Sequence, residues 1–278
     1  MRLVLHALIA VAVICVLGLL AMWWLQERLV WQPPRMAVYP EADARRLEYT
    51  SDDGQKLFAY LVGDPARAPG LVIAYHGNAD LAAWNVPWAA MLERLTGWAV
   101  LLPEYRGYGG LAGSPDYPSS QGDARATYRY VRERLGVDSS RIALYGHSLG
   151  SAVAAELAAE HASAVLILEA PFTSARDMAR RMLMPATAVW GLIARVRFDT
   201  RAKVAELDMP TWVVHGERDG VIPVHMGRAV HAAARVPGEL LIVRYAGHND
   251  LRDVAGEAYW AWLGRALASQ SLVRQRPK

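Results

Sequence analysis

The sequence predicts an α/β protein with a mostly parallel central sheet and helices on both faces, carried behind an N-terminal transmembrane helix. Three observations lead there. Short, almost wholly apolar runs recur at Leu71–Tyr75, Ala99–Leu102, Ile142–Tyr145, Val165–Leu168, Trp212–Val214 and Leu240–Val243, the texture of strands covered on both faces. Helical stretches separate them at Ala82–Leu95, Gln121–Leu135, Ser148–His161, Val224–Ala234 and Ala255–Leu267. Strands alternating with helices of this length imply parallel pairing through right-handed crossovers. Ahead of all of them, Leu3–Leu25 is apolar apart from His6.

That first segment is a different material from the rest. As a helix it reaches roughly 34 Å, enough to cross a hydrocarbon layer of about 30 Å. Trp23, Trp24 and Trp31 follow it, and aromatic rings favour the headgroup level. A cleaved signal would want a shorter apolar run and a small-residue cleavage site, which Ala21-Met22-Trp23-Trp24 does not offer. A buried helix of a soluble protein would want a polar face, and none is present. Residues 1–31 therefore read as a single-pass membrane anchor. Arg28, Arg35, Arg45 and Arg46 outnumber Arg2 and the α-amine, which favours a cytoplasmic globular part. A short apolar segment behind a basic start more often translocates its C-terminal side, and the expectation here is an extracytoplasmic domain.

The remainder is one domain, residues 32–270, with a basic tail at 271–278. The chain has 278 residues, 53% apolar and 21% charged, ample for a full core. A formal charge of +3, spread along the sequence, gives no footprint for nucleic acid. Cys15 is the one cysteine, so no internal disulfide forms. Arg46–Ser51 and Lys56–Val62 flank Asp52-Asp53-Gly54 and read as a β-hairpin. The interval from Ser174 to Arg201 is too long for a bare loop. Its Met178, Met182, Leu183, Met184, Val189, Trp190, Leu192, Ile193 and Val196 alternate with Arg176, Arg180, Arg181, Arg195 and Arg197. It reads as a small helical cap at about 174–205, either an ordinary surface helix or an acyl-binding lid whose arginines meet anionic headgroups.

The chemistry gathers at strand ends. Arg141–Ser151 runs from an apolar strand through Gly146-His147-Ser148-Leu149-Gly150 into an alanine-rich helix. A sharp strand-to-helix turn of this kind presents a serine oxygen at the sheet edge, and its glycines let backbones pack where a β-carbon would obstruct. Leu149 opens the helix, so its N–H is available to a developing oxyanion. A nucleophilic serine needs a base held by a carboxylate. Asp219 follows the strand ending at His215, and His248 follows the strand ending at Tyr245; the order Ser, Asp, His suits such a sheet. Glu217 and Asp250 are reserve carboxylates, with Asp250 expected to cap the last helix. The loop His76-Gly77-Asn78-Ala79-Asp80 follows Leu71–Tyr75 and is expected to supply a second oxyanion N–H, from Asn78 or, failing that, Ala79.

Other polar residues receive plainer readings. His76 and His147 are expected in the floor of the site, and His215, His225 and His231 as packing or surface residues. No histidine has metal-ligand spacing with its neighbours, so neither metal nor cofactor is expected. Glu104 is expected in a structural ion pair with Arg106 or a neighbour, or else in contact with substrate.

Taken as a set, His76-Gly-Asn, Glu104-Tyr-Arg-Gly-Tyr-Gly109, Asp123-Ala, Gly146-His-Ser-Leu-Gly150, Leu168-Glu-Ala-Pro-Phe-Thr-Ser174, His215-Gly-Glu-Arg-Asp219 and Gly247-His248 resemble the membrane-anchored α/β-hydrolase-domain proteins. The likeness runs from about Trp31 to the last helix and includes the segment Trp31-Gln32-Pro33 behind the anchor. It implies the α/β-hydrolase fold, with Ser148, Asp219 and His248 as triad and Asn78 and Leu149 as oxyanion donors. It also implies a small-molecule or lipid-derived acyl ester or thioester as substrate, since relatives of this kind include depalmitoylating and lysophospholipid-cleaving enzymes. Gly109–Pro118 departs from the usual shorter Gly-x-Ser-x-Gly-x-Pro-Ser pattern, which bears on substrate shape. A peptidase or amidase on the same triad and an inactive anchored scaffold are the rival expectations.

Overall fold

The computed structural model describes residues 2–34, 36, 38–40, 43–183 and 194–269. Its centre is an eight-stranded sheet. Strands β1 (Arg45–Thr50) and β2 (Lys56–Val62) form the expected hairpin, with Thr50 opposite Lys56. Gly54, at φ 84°, makes the turn between them. The other strands are β3 (Leu71–Tyr75), β4 (Ala99–Pro103), β5 (Ile142–His147), β6 (Val165–Glu169), β7 (Thr211–Gly216) and β8 (Pro237–Val243). Their spatial order is β1-β2-β4-β3-β5-β6-β7-β8. Pairing is antiparallel from β1 to β4 and parallel from β4 through β3 to β8.

This order contains a switch point. The chain moves outward from β3 to β4, then returns to lay β5 on the other side of β3. Connections leaving β3 and β5 therefore diverge and open a crevice at their carboxyl ends, where open α/β sheets bind ligands. Tyr75 pairs with Gly146, so the residues after them, His76-Gly77 and His147-Ser148, lie side by side at that crevice.

Alternation along each strand divides the core into two. Leu71, Ile73, Ile142 and Leu144 face one layer with Tyr128 and Val131 of α3 (Tyr117–Glu133), Val153 and Leu157 of α4 (Leu149–Glu160), and Val230. Val72, Ala143 and Tyr145 face the other, with Trp88 and Leu92 of α2 (Val86–Thr96) and Tyr259, Trp262 and Leu263. Burying each large apolar side chain contributes about 1.5–3 kcal/mol, so both faces must be covered, as the continuous apolar runs required.

The helices depart from expectation at their ends. Helix α3 begins at Tyr117, not Gln121, because Asp116 Oδ1 accepts from Ser119 N–H at 2.7 Å and Ser119 Oγ accepts from Asp116 N–H at 2.9 Å. This capping box is polar and starts before the apolar periodicity. The last helical stretch is two elements, α8 (Leu251–Ala255) and α9 (Glu257–Ala268), divided at Gly256, φ 54°. Between β6 and β8 lie α5 (Ala175–Leu183), α6 (Thr200–Val204) and α7 (Val224–Ala233). Helices α5 and α6 are the two ends of the expected cap; Met184, Val189, Trp190, Leu192 and Ile193 lie outside the described residues, as does the tail 271–278.

Helix α1 (Arg2–Val30) is long and apolar enough to cross a membrane, and Leu3, Ile14 and Leu17 on it are exposed. Its last turn is not free. Gln26, Glu27 and Trp31 are buried, Gln26 Oε1 accepts from Arg195 N–H at 2.7 Å, and the Trp31 ring packs against Tyr105, Tyr108 and Phe198.

Close approach is the constraint at the crevice. A β-carbon on Gly146 would collide with Gly150 O, and one on Gly150 with Tyr75 O. Gly150→Ala should therefore destabilise the fold by about 3 kcal/mol or more, read as a lowered urea midpoint; an unchanged midpoint would contradict this packing.

Candidate active site

Ser148 stands between β5 and α4 at φ 54°, ψ −117°. A non-glycine residue rarely holds positive φ, and such strain costs about 1–3 kcal/mol. Three bonds hold it: Ser148 N–H donates to Glu169 O at 2.9 Å, while Ser148 O accepts from Ser151 N–H at 3.0 Å and Ser151 Oγ–H at 2.5 Å. The side chain points into the crevice toward His248, whose Nε2 is 3.0 Å from Ser148 Oγ.

His248 reaches that point from the loop after β8. Tyr245, at φ 70°, turns the chain, and Asp250 Oδ1 accepts from Gly247 N–H at 2.6 Å. Asp250 thus closes the histidine loop; no side-chain bond from it caps α8, contrary to expectation. His248 Nδ1 is 2.7 Å from Asp219 Oδ2.

Asp219 is buried in the loop after β7. Its Oδ1 accepts from Val221 and Ile222 N–H, each at 2.8 Å. Burial by itself would raise its pKa, but the bonds from His215, His248 and Ile222 outweigh burial and hold the carboxyl well below its ordinary range. It is therefore a charged acceptor, suited to keeping Nδ1 of His248 protonated and Nε2 free to accept from Ser148.

His215, expected as a packing or surface residue, is buried and in addition reaches Asp219, a contact its spacing alone did not announce. It is fully buried, its Nε2 is 2.8 Å from Ile222 O and 3.3 Å from Asp219 Oδ2, and its ring lies against Gly227. The available signal was its position four residues before Asp219 at a strand end. His225 and His231 fit their plainer readings: His225 is exposed, and His231 meets Gly238 O at 2.9 Å.

Glu104 does not pair with Arg106. It is buried against His76, Oε1 to Nε2 at 2.9 Å, while His76 Nδ1 meets Gly77 O at 2.9 Å. Both ring nitrogens face acceptors, which suits an imidazolium; burial opposes the charge, but Glu104 outweighs it and raises the His76 pKa. Arg106 instead binds Asp123 Oδ2 at 2.8 Å and Asp53 Oδ2 at 2.7 Å, tying the hairpin to α3. The reason is topological: Glu104 points below the crevice toward β3, whereas Arg106 lies past it.

Beneath Ser148 lies a polar floor that sequence spacing does not reveal. Glu169 accepts from Tyr145 Oη–H, Tyr259 Oη–H at 2.8 Å and Arg252 Nε–H at 3.2 Å. Burial alone would raise the Glu169 pKa, but Arg252 and these donors bring it below the usual value. His147 covers this network, 5.2 Å from the His248 ring centre. Burial pushes its pKa down to about 4, against the opposing pull of Glu169.

The expected oxyanion residues border the same crevice. A β-carbon on Gly77 would lie 3.0 Å from His147 Nδ1 and 3.5 Å from Ser148 Cβ, so the loop carrying Asn78 runs directly beside the serine. Leu149 is the first residue of α4, where a helical N–H has no intrahelical partner. Farther along the edge, Thr173, Asp177, Arg180, Arg181, Arg201 and Pro223 line an open cleft of about 390 Å³, and Arg181 donates to Gly220 O at 2.8 Å. Among the described residues no cluster of His, Cys, Asp and Glu could hold a metal ion.

This fold and site define an α/β-hydrolase. A family model described as "Serine aminopeptidase, S33" matches residues 66–200. The Arabidopsis thaliana α/β-hydrolase domain-containing protein WAV2 is 31% identical over 278 residues, covering 89% of each chain. Human α/β-hydrolase domain-containing protein 17B is 29% identical over 253 residues, covering 90% of this chain and 82% of that one. The solved Pyrococcus furiosus esterase Pf2001 superposes with a TM-score of 0.68 at 20% identity, over 85% of this chain and 98% of that one. The chain belongs to the α/β-hydrolase family.

Because His147 titrates near 4 when folded, against 6.5 ordinarily, the unfolded chain takes up this proton first as pH falls. Its stabilising share is full above 6.5 and is lost toward pH 4. The Tm of the native protein should fall over that window more steeply than that of His147→Gln; equal slopes would contradict a buried neutral ring.

Proposed function

We propose that this chain is a serine hydrolase cleaving carboxylic ester or thioester bonds of acyl, lipid-like substrates through an acyl-enzyme intermediate. One observation carries the reading: the continuous path Ser148 Oγ, His248 Nε2, His248 Nδ1, Asp219 Oδ2, at 3.0 Å and 2.7 Å. His248 takes the Ser148 proton as the oxygen attacks the acyl carbon. Asn78 and Leu149 N–H groups receive the oxyanion, a contribution of roughly 3–4 kcal/mol per donor. The His248 proton then passes to the departing alcohol or thiol. Water, activated by the same base, releases the acid and restores Ser148. Every step is served by protein groups and water.

The lipid-like character rests on helix α1. Near the end of this helix Gln26 and Glu27 are buried and Gln26 Oε1 holds Arg195 N–H, contacts that tie the helix to the domain and favour its retention as a membrane anchor. The basic start ahead of the apolar segment favours an extracytoplasmic domain, against the larger count of arginines behind it. The arginine-lined cleft beside the Asp219 loop suits an anionic neighbour such as a headgroup. An inactive scaffold is disfavoured by a pre-aligned set of three side chains under backbone strain, which pure structure does not require.

Amide cleavage is the second reading, favoured by the family model's description as serine aminopeptidases. Turnover of an unactivated alkyl butyrate against aminoacyl and acyl amides decides between them, with hydrolysis of the ester alone expected and comparable turnover of an amide overturning the ester reading.

A fluorophosphonate probe should label the native protein and leave Ser148→Ala unlabelled; equal labelling of both would end the nucleophile assignment. Asp219→Asn should retain the fold but lower kcat by about 10⁴-fold, through loss of the tautomer. A loss below tenfold in steady-state kinetics would remove Asp219 from this role.

A further inference from the structure

The segment joining helix α1 to the domain makes a contact that an inert linker would not need. Asn78 Oδ1 accepts three hydrogen bonds: from Ala79 N–H at 3.0 Å, from Tyr108 Oη–H at 2.8 Å and from Gln32 N–H at 2.9 Å. The three donors come from the loop itself, from the chain after β4, and from the end of the apolar helix. An amide oxygen has two lone pairs, so this acceptor is saturated.

The donor from Gln32 is itself held. Trp31, 4% exposed, is wedged among Tyr105, Tyr108 and Phe198, with ring centres 5.6–6.5 Å away. Pro34 O accepts from Gly109 N–H at 3.3 Å. Gln26, one helical turn before Trp31, receives Arg195 N–H. The linker therefore grips the wall of the crevice on both sides of Gln32. The loop it holds is strained, since Ala79 has φ 53°, and strain of this kind persists only where surrounding contacts over-determine it.

We propose that Trp31–Pro34 is a positioning element of the active site: Gln32 N–H, together with Tyr108 Oη, fixes the Asn78 side chain and thereby the placement of the oxyanion-loop backbone beside Ser148. This rests on the reading of Ser148 as nucleophile and Asn78 N–H as an oxyanion donor. Donors in such a hole act at about 2.7–3.1 Å from the oxyanion, so small displacements of the loop weaken the transition state more than the bound substrate. The segment after the membrane helix is then part of the catalytic apparatus, and disturbance of that helix reaches the oxyanion loop through Gln32 N–H and through Trp31 against Tyr108.

The test uses the full chain in detergent micelles with p-nitrophenyl butyrate. Gln32→Pro deletes only the N–H among the donors, Tyr108→Phe deletes the hydroxyl, Asn78→Leu deletes the acceptor, and Asn78→Asp restores an acceptor. Expected are kcat losses of roughly 10- to 100-fold in the first three, with KM and Tm near native values, and recovery toward the native rate in Asn78→Asp. The inhibition constant of an alkyl boronic acid, which forms a tetrahedral adduct on serine, should weaken in parallel with kcat/KM. If Gln32→Pro does not fold, Trp31→Leu loosens the same segment while leaving the N–H, and should lose kcat likewise. Native kcat in a folded Gln32→Pro or Trp31→Leu, or a change confined to KM, overturns the inference while Ser148→Ala remains inactive. Native activity in Ser148→Ala would instead overturn the reading on which it rests.

Discussion

The close passage of the Gly146–Gly150 turn over the end of β3 is the constraint on which the rest of the site depends. Gly150 lies so near Tyr75 O, and Gly146 so near Gly150 O, that neither glycine of the turn can carry a β-carbon. That proximity drives Ser148 into positive φ and aims its oxygen out of the sheet edge. It also brings the Gly77 backbone alongside Ser148, so that serine and loop meet without any long side chain to bridge them. The β3–β5 register, with Tyr75 opposite Gly146, makes both strands end at the same height.

Strain at the turn is offset by what lies beneath. Glu169 does two things: its carbonyl receives Ser148 N–H, and its carboxylate anchors Arg252, Tyr145 and Tyr259. A buried carboxylate with a guanidinium and two phenols is stable only as a complete set, because removal of one member leaves desolvated charge. The His76–Glu104 pair has the corresponding place beneath the Asn78 loop. Two buried ionic groups thus underlie the two sides of the crevice, and the Asp219 carboxylate, with four donors within 3.3 Å, supports the third element. Fixed dipoles and charges of this kind need not reorganise as charge develops.

Helix α1 belongs to the same arrangement and not to a separate module. Its apolar length is exposed, as a membrane-crossing segment requires. Gln26 and Glu27 near its end are buried, and Trp31 just beyond it lies in the layer that contains Tyr105 and Phe198. A boundary drawn at residue 31 by hydropathy alone therefore divides a packed cluster.

Local patterning determined a large share of this protein. Apolar runs located the six strands from β3 to β8, since a strand covered on both faces carries little charge, and the Asp52-Asp53-Gly54 turn located the β1–β2 hairpin, whose outer strand is exposed and charged; the glycine–serine turn, Asp219 and His248 were legible because each follows a strand in the order this fold imposes. Helix ends were less legible, because the Asp116–Ser119 capping box and the Gly256 break are set by hydrogen bonding and backbone conformation and not by hydrophobic period. Partner choice was decided by tertiary structure alone. Glu104 meets His76 instead of its near neighbour Arg106, His215 reaches Asp219, Asp250 turns toward Gly247, and Gln32 finds Asn78 across 46 positions of sequence. A sequence shows which groups can bond, but strand order and register determine which of them arrive within bonding distance of one another.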